Sequence, residues 1–178
     1  MFGFNFTPFE VFAQGVGFIA LLVSISSYQF KSQRKMFGMR IGSDMLWTVH
    51  YLLLGAIVPA FAVAVAFCRT FLVVFAIPQY KTYIILVAIS LIVLLAVFTG
   101  AGYWANWLPA ISALIYGLAN YYHEDYIKSR VCMAIGLMLW LTIGVVFGSI
   151  PEVVSSVIGL CSLLLGMRRH LRGLHPKP

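Results

Sequence analysis

Arg69 lies in the middle of the apolar run FAVAVAFCRTFLVVFAIP, and a charged side chain at that depth needs a partner. In hydrocarbon an ionised arginine costs a few kcal/mol or more when no anion faces it. Asp44 is the anion within reach. Counted from the turn near Val58, Asp44 is 14 residues away (58 − 44) and Arg69 is 11 (69 − 58). On antiparallel neighbours their depths therefore differ by about 4.5 Å at the helical rise of 1.5 Å per residue, a gap that an arginine side chain covers. Two roles fit the pair: an ion pair that locks the two segments together, or a cation that shares its charge with an anionic solute at mid-membrane.

Polar residues at helical spacing add further candidates. Glu152, Ser155, Gly159, Ser162 and Gly166 share one face of the last apolar segment, Ser112, Tyr116 and Asn120 one face of the fifth, and Gln14, Gly17, Ser24 and Ser27 lie near one face of the first. Such side chains either ring a watery cavity or bond helix to helix, and small residues also let membrane helices approach closely. Trp47 and Trp140 sit deep in the second and sixth segments, away from the interface where tryptophan anchors; each can stack on a ring-shaped solute or fill core space. The candidate solute-binding set is thus Arg69, Asp44, Trp47, Trp140, Asn120, Tyr116, Ser155, Ser162, Ser24 and Ser27.

Other chemistries find little support. His50 lies about 240° around its helix from Asp44, so the two form no relay on one face. His123-Glu124-Asp125 reads as a solvated turn, and His170 and His175 belong to a basic tail without metal-ligand spacing, so no metal and no cofactor is expected. There is no Gly-rich phosphate loop, no His-Glu-x-x-His and no Gly-x-Ser-x-Gly elbow, so the chain does not read as an enzyme. No lysine in the seventh segment could hold retinal as a Schiff base. The three cysteines all fall in apolar runs and read as small core residues.

The elements that must hold these residues are membrane helices. With 62% hydrophobic and 10% charged residues and a mean hydropathy of +0.96, the chain has too little polar surface to cover a soluble globule. Seven apolar segments can be marked, roughly 11 to 29, 38 to 57, 59 to 77, 82 to 98, 104 to 122, 131 to 149 and 151 to 167. The N-terminus lacks the basic region and cleavage site of a signal peptide, and its four phenylalanines suit an interfacial anchor. Trp47 and Trp140 stand 93 residues apart (140 − 47), and the same step carries Met45 to Met138, Leu46 to Leu139, Gly55 to Gly148, Ile57 to Ile150, Cys68 to Cys161 and Leu72 to Leu165. This is an internal repeat. The fourth segment, TYIILVAISLIVLLAVF, stands outside it as a lipid-facing connector.

The expected fold is therefore all-α and membrane-integral, with seven transmembrane helices as two parallel triple-helix bundles joined by a linker helix. The first bundle covers residues 11–79, the linker helix 80–100, the second bundle 103–168, and a basic cytoplasmic tail 169–178. Lys31, Arg34, Lys35 and Arg40 lie at the first connection, Lys81 at the third, Lys128 and Arg130 at the fifth, and Arg168, Arg169, Arg172 and Lys177 in the tail. With seven spans all of these fall on one side. The positive-inside rule then puts the N-terminus outside and the C-terminus in the cytoplasm. The net charge of +7 reports orientation here, and nucleic-acid binding is not expected.

This layout resembles the SWEET and PQ-loop superfamily, and AQGVGFIALLVSISSYQFKSQRKMF followed by LWTVHYLLLGA is similar to its first repeat. More closely, AQGVG, LLLGA and CRTFL resemble the YgjV family of small bacterial inner-membrane proteins over nearly the whole chain. The family resemblance implies the inner membrane. The superfamily resemblance implies passive transport of small polar solutes by alternating access between two bundles. Tyr28-Gln29 stands where that superfamily has Pro-Gln, and Pro109 is the one proline within the expected helices one, two, five and six that could serve as a hinge.

The leading functional expectation is a facilitative carrier of a small polar or anionic solute. The alternative is a packed, non-transporting membrane interaction or lipid-handling protein whose tail binds anionic headgroups. The expected partners are the lipid bilayer and the solute, with a second copy of the chain, in a homodimer, as a further candidate.

Overall fold

A computed structural model describes residues 7–27, 33–72, 75, 77–100, 103–122 and 125–174. The described residues form seven α-helices: α1 (Pro8–Ser27), α2 (Gln33–Leu53), α3 (Ile57–Phe71), α4 (Lys81–Gly100), α5 (Trp107–Tyr121), α6 (Tyr126–Val146) and α7 (Ile150–Leu174). Single 3-10 turns, Pro78–Tyr80 and Trp104–Asn106, precede α4 and α5. No strand occurs among the described residues. In hydrocarbon a helix satisfies its own backbone, which is why apolar runs of this length take that form.

The repeat is written into two turns. Gly55 has φ +70° and Gly148 φ +68°, the left-handed conformation that costs glycine little. At the first, Gly55 N–H donates to Leu52 O at 3.0 Å and Ala56 N–H to Tyr51 O at 2.9 Å; at the second, Gly148 N–H donates to Val145 O at 3.4 Å and Ser149 N–H to Gly144 O at 2.8 Å. Both are Schellman caps, and every residue of the second stands 93 positions after its mate in the first. The prolines do not kink. Pro59, Pro109 and Pro151 all lie in the first turns of their helices, where a missing N–H is tolerated, so Pro109 offers no hinge.

Packing follows the same pairing. α1 lies against α2 and α7, α2 against α3, α5 against α6 and α3, and α6 against α7. α4 packs on α3 and α5 through Ala88, Ile92 and Ala96, one stripe at four-residue spacing, while Tyr83, Leu86, Val87, Leu94, Val97 and Phe98 face outward. The main core joins Ala20, Leu21, Trp47, Tyr51, Ala56, Ala60, Val63 and Ile143.

Among the described residues, three helices are long and apolar enough to cross a membrane by length and composition: Pro8–Ser27, Thr82–Thr99 within α4 and Ile150–Arg168 within α7. Ile57–Phe71 and Arg130–Val146 are apolar but shorter. Several expectations change. Lys35 and Arg40 belong to α2, which starts five residues before the apolar run because polar residues extend the helix beyond the hydrophobic stretch. For the same reason α7 runs to Leu174 and takes in most of the basic tail. Cys68 and Cys161, repeat mates, are exposed on the flank and Cys132 is half-buried, so they are not core residues; an outward apolar face does the same job in lipid as an inward one.

Candidate functional site

Polar side chains converge where α1, α2 and the α6–α7 turn meet. Gly17 makes this possible: a Cβ there would stand 2.4 Å from Pro151 Cγ and 2.7 Å from His50 Nδ1, so only a hydrogen lets the three elements close. Gln14, one turn earlier, grips the turn at both ends. Its Nε2 donates to Gly148 O at 2.7 Å, and its Oε1 accepts from Ile150 N–H at 3.2 Å. His50 is fully buried between the same elements, with Nδ1 at 2.8 Å from Ala13 O and Nε2 at 2.7 Å from Ser149 Oγ. A carbonyl can only accept, so Nδ1 carries the hydrogen, and in the neutral ring Nε2 accepts the Ser149 proton.

Ser149 also caps α7. Its Oγ accepts from Glu152 N–H at 3.2 Å, the first half of a Ser-x-x-Glu capping box. The same signature at Thr7-Pro8-Phe9-Glu10 closes fully: Glu10 Oε2 accepts from Thr7 N–H at 2.8 Å and from Thr7 Oγ1 at 2.9 Å. At Ser149 it does not close, because Gly144 O already takes the Ser149 N–H. Glu152 is thereby released from capping. Its buried carboxyl accepts from Ser156 Oγ at 3.0 Å. Tyr51, also fully buried, lies with its hydroxyl against the Glu152 carboxyl and Ser149 but makes no directed hydrogen bond to either.

Above this cluster a pocket of about 590 Å³ opens at the end of the bundle that carries the two glycine turns. Thr7, Glu10, Gln14 and Ser149 supply its polar side chains, with Phe9, Leu54, Phe147 and Val153 among the apolar walls. Ser149 therefore touches both the pocket and the buried cluster.

A family model described as a bacterial inner membrane protein, Imp-YgjV, matches residues 11–173. The chain belongs to the Imp-YgjV family. No curated protein and no solved structure matches it. The Gln14–Ser149–Glu152 cluster thus falls wholly within the matched region of an inner-membrane protein.

In this Imp-YgjV protein the expected site residues divide into groups. Ser24 and Ser43 share a short hydrogen bond, Trp47 Nε1 donates to Ser24 Oγ at 3.3 Å, Ser43 Oγ donates to Ala20 O at 3.0 Å, and Ser27 Oγ donates to Ser24 O at 2.6 Å. Ser24, Ser43 and Trp47 thus bind α1 to α2, while the Ser27 bond stays within α1. Trp47 and Trp140 meet through Tyr51, whose ring lies 6.2 Å from one and 5.8 Å from the other. Asp44 and Arg69 do feel each other's charge, with Arg40 as a third partner one turn back on α2. Tyr116 packs its ring over Gly136, where a Cβ would come within 2.7 Å, and the side chain of Asn120 lies outside the described residues. On α7 the polar stripe is turned: Ser156 is buried, Ser155 half-buried and Ser162 exposed. None of the nine expected residues whose side chains are described lines the pocket.

Ser149, Ser156 and Tyr51 are the residues that sequence reasoning misses, and His50 is undervalued by it. The Ser149-x-x-Glu152 signature was available as a signal. His50 has no polar partner on its own helix face, and its bond to Ser149 spans 99 positions. His123 and Glu124 lie outside the described residues, as does residue 175; Asp125 caps α6, accepting from Lys128 N–H at 3.0 Å and pairing with Lys128 Nζ at 3.0 Å. The backbone hydrogen bond from Lys128, helped by its ammonium, holds the Asp125 carboxyl below the usual range.

Proposed function

We propose that this protein is a carrier for a small polar solute, working by alternating access between a unit of α1–α3 and a unit of α5–α7, with α4 as the linker that lets both point alike. The observation that carries the reading is the buried polar cluster of Gln14, His50, Tyr51, Ser149, Glu152 and Ser156 at the junction of the two units, directly beneath the pocket. A carrier needs such a site between parts that can rock apart. Its supports are the duplicated caps at Gly55 and Gly148 and the matched contacts of α1 with α7 and of α5 with α3. Arg69, facing Asp44, belongs on this reading to a structural ion pair, so the solute is polar and hydrogen-bonding with no requirement for negative charge.

Seven crossings belong to the same proposal. α3 and α5, at 15 residues each, are about 22 Å long at 1.5 Å per residue, and the helical Leu72 and the Trp104–Asn106 turn extend them. Loop charges then put the pocket on the outer face and the basic end of α7 in the cytoplasm. Purified protein in liposomes, offered sugars, sugar acids, amino acids and vitamins in turn, should move one of these classes; no flux with any of them sinks the reading. A packed interaction protein is the second reading, favoured by the closure of Trp47, Tyr51 and Trp140 over the middle of the bundle.

A further inference from the structure

The polar cluster is lopsided. A step of 93 residues takes Gln14, His50 and Tyr51 to Trp107, Ile143 and Gly144, and the reverse step takes Ser149, Glu152 and Ser156 to Ala56, Pro59 and Val63. The α3–α5 junction is thus built from apolar mates: Ile143 is fully buried, and Ala56 and Val63 are 1% and 8% exposed. At the mate positions that junction carries no polar side chain apart from the Trp107 indole, so helix packing at those positions does not call for the polar set at the α1–α7 junction. Placing an ionisable group inside a membrane is costly, and such a group marks a pathway for ions, protons or substrate.

We infer that Glu152 is a proton-carrying site, loaded from the outer pocket through Ser149 and Tyr51 and discharged as the solute moves. The inference rests on the carrier reading above. Three observations support it. The Glu152 carboxyl is freed from its capping role, its direct partner is the Ser156 hydroxyl, and the Tyr51 hydroxyl beside it is likewise neutral. Tyr51 carries a fully buried hydroxyl without a directed partner, held against both Ser149 and Glu152, as a donor that must turn between them would be. Ser149 stands in the pocket wall, fully buried, and so joins the pocket to the cluster.

In the loading step an O–H bond of hydronium in the pocket breaks as one forms at Ser149 Oγ. The Ser149 hydroxyl turns from His50 Nε2 and passes a proton to Tyr51, and the Tyr51 proton closes an O–H bond on the Glu152 carboxylate. Both hydroxyls end neutral, as they began, and no other reactant is needed. Around Glu152, α2 presents His50 and Tyr51 and contributes the more distant charges of Arg40 and Asp44. α1 presents Gln14, with Glu10 at the pocket rim, and α6 presents Gly144 against the Glu152 Cβ.

Infrared difference spectra between acid and alkaline pH read the protonated-carboxyl stretch directly, and with five Asp and Glu residues in the chain the assignment is tractable. The wild-type protein in phosphatidylethanolamine and phosphatidylglycerol liposomes should show a band that Glu152→Gln removes and Asp44→Asn keeps. For whichever solute the panel identifies, an inward proton gradient should drive accumulation in wild type, while Glu152→Gln should retain only gradient-independent exchange. A Glu152 band that never changes with pH, or accumulation driven equally well in Glu152→Gln, overturns the inference and leaves the carrier reading standing. A titrating Glu152 band with no flux of any solute supports the proton site and removes the carrier reading instead.

Discussion

Replacing Gly17 with alanine tests the convergence of α1, α2 and α7 at its tightest point. The new methyl would stand 2.4 Å from Pro151 Cγ, 2.7 Å from His50 Nδ1 and 2.8 Å from His50 Cε1. Neither neighbour is the loose end of a flexible side chain: one is a proline ring and the other an imidazole held at both nitrogens. Overpacking of this kind costs about 1–3 kcal/mol. If His50 is displaced, its two hydrogen bonds go as well, at about 1 kcal/mol each. The expected loss is therefore about 3–5 kcal/mol, read from reversible unfolding in mixed micelles with increasing dodecyl sulfate. Gly15→Ala is the control, because nothing lies within 4 Å of its Cβ, and it should be neutral or stabilising by up to about 1 kcal/mol from helix propensity. The repeat mate of Gly17 is Ala110, buried at 2% exposure, which shows that a methyl fits where no His50 stands opposite. Equal stability of Gly17→Ala and Gly15→Ala would refute the close approach.

Further predictions follow from the turns and the charges. Gly55→Ala and Gly148→Ala should each cost about 1–2 kcal/mol for a left-handed alanine, and the two losses should agree, since the caps are copies; unfolding midpoints of the two variants check this. Asp44→Ala should destabilise more than Arg69→Ala, because it leaves Arg40 and Arg69 without the carboxylate whose charge both feel, whereas Arg69→Ala keeps the Arg40–Asp44 interaction; unfolding midpoints of the two variants check the order. Asp125 is a lowered carboxyl, so its support of the α6 start is present above its unfolded pKa and is lost only as pH falls through the depressed folded value. The Lys128 amide resonance should therefore shift below the ordinary carboxylate range; a midpoint at the usual aspartate value would contradict the cap.

Much of the fold is legible in the sequence because a bilayer imposes one solution on an apolar run. The 93-residue step is legible too, since Gly55 and Gly148 must be glycine for the turns to close. Of the site, the Gln14 and Gly17 stripe on α1 reads directly from helical spacing. Ser155 and Ser156 show the limit: they differ by about 100° around α7, and period alone does not fix which of them turns inward. Glu152 satisfies either choice, lying three or four residues before them. The meeting of Trp47 and Trp140 on Tyr51 is likewise tertiary, as it joins α2 to α6 without any sequence neighbour in common. Charged ends are the other blind spot. Lys35, Arg40 and the basic end of α7 are helical although hydropathy places them in loops.

The most direct test of a solute site at the α1–α2–α7 junction is thiol accessibility at Ser156. With Cys68, Cys132 and Cys161 changed to alanine, a single cysteine at Ser156 and, separately, at its repeat mate Val63 can be offered a small membrane-impermeant maleimide in vesicles of both orientations. Labelling is expected at Ser156, suppressed when transported solute is present, and none at Val63. Protection of both positions from both sides would contradict it.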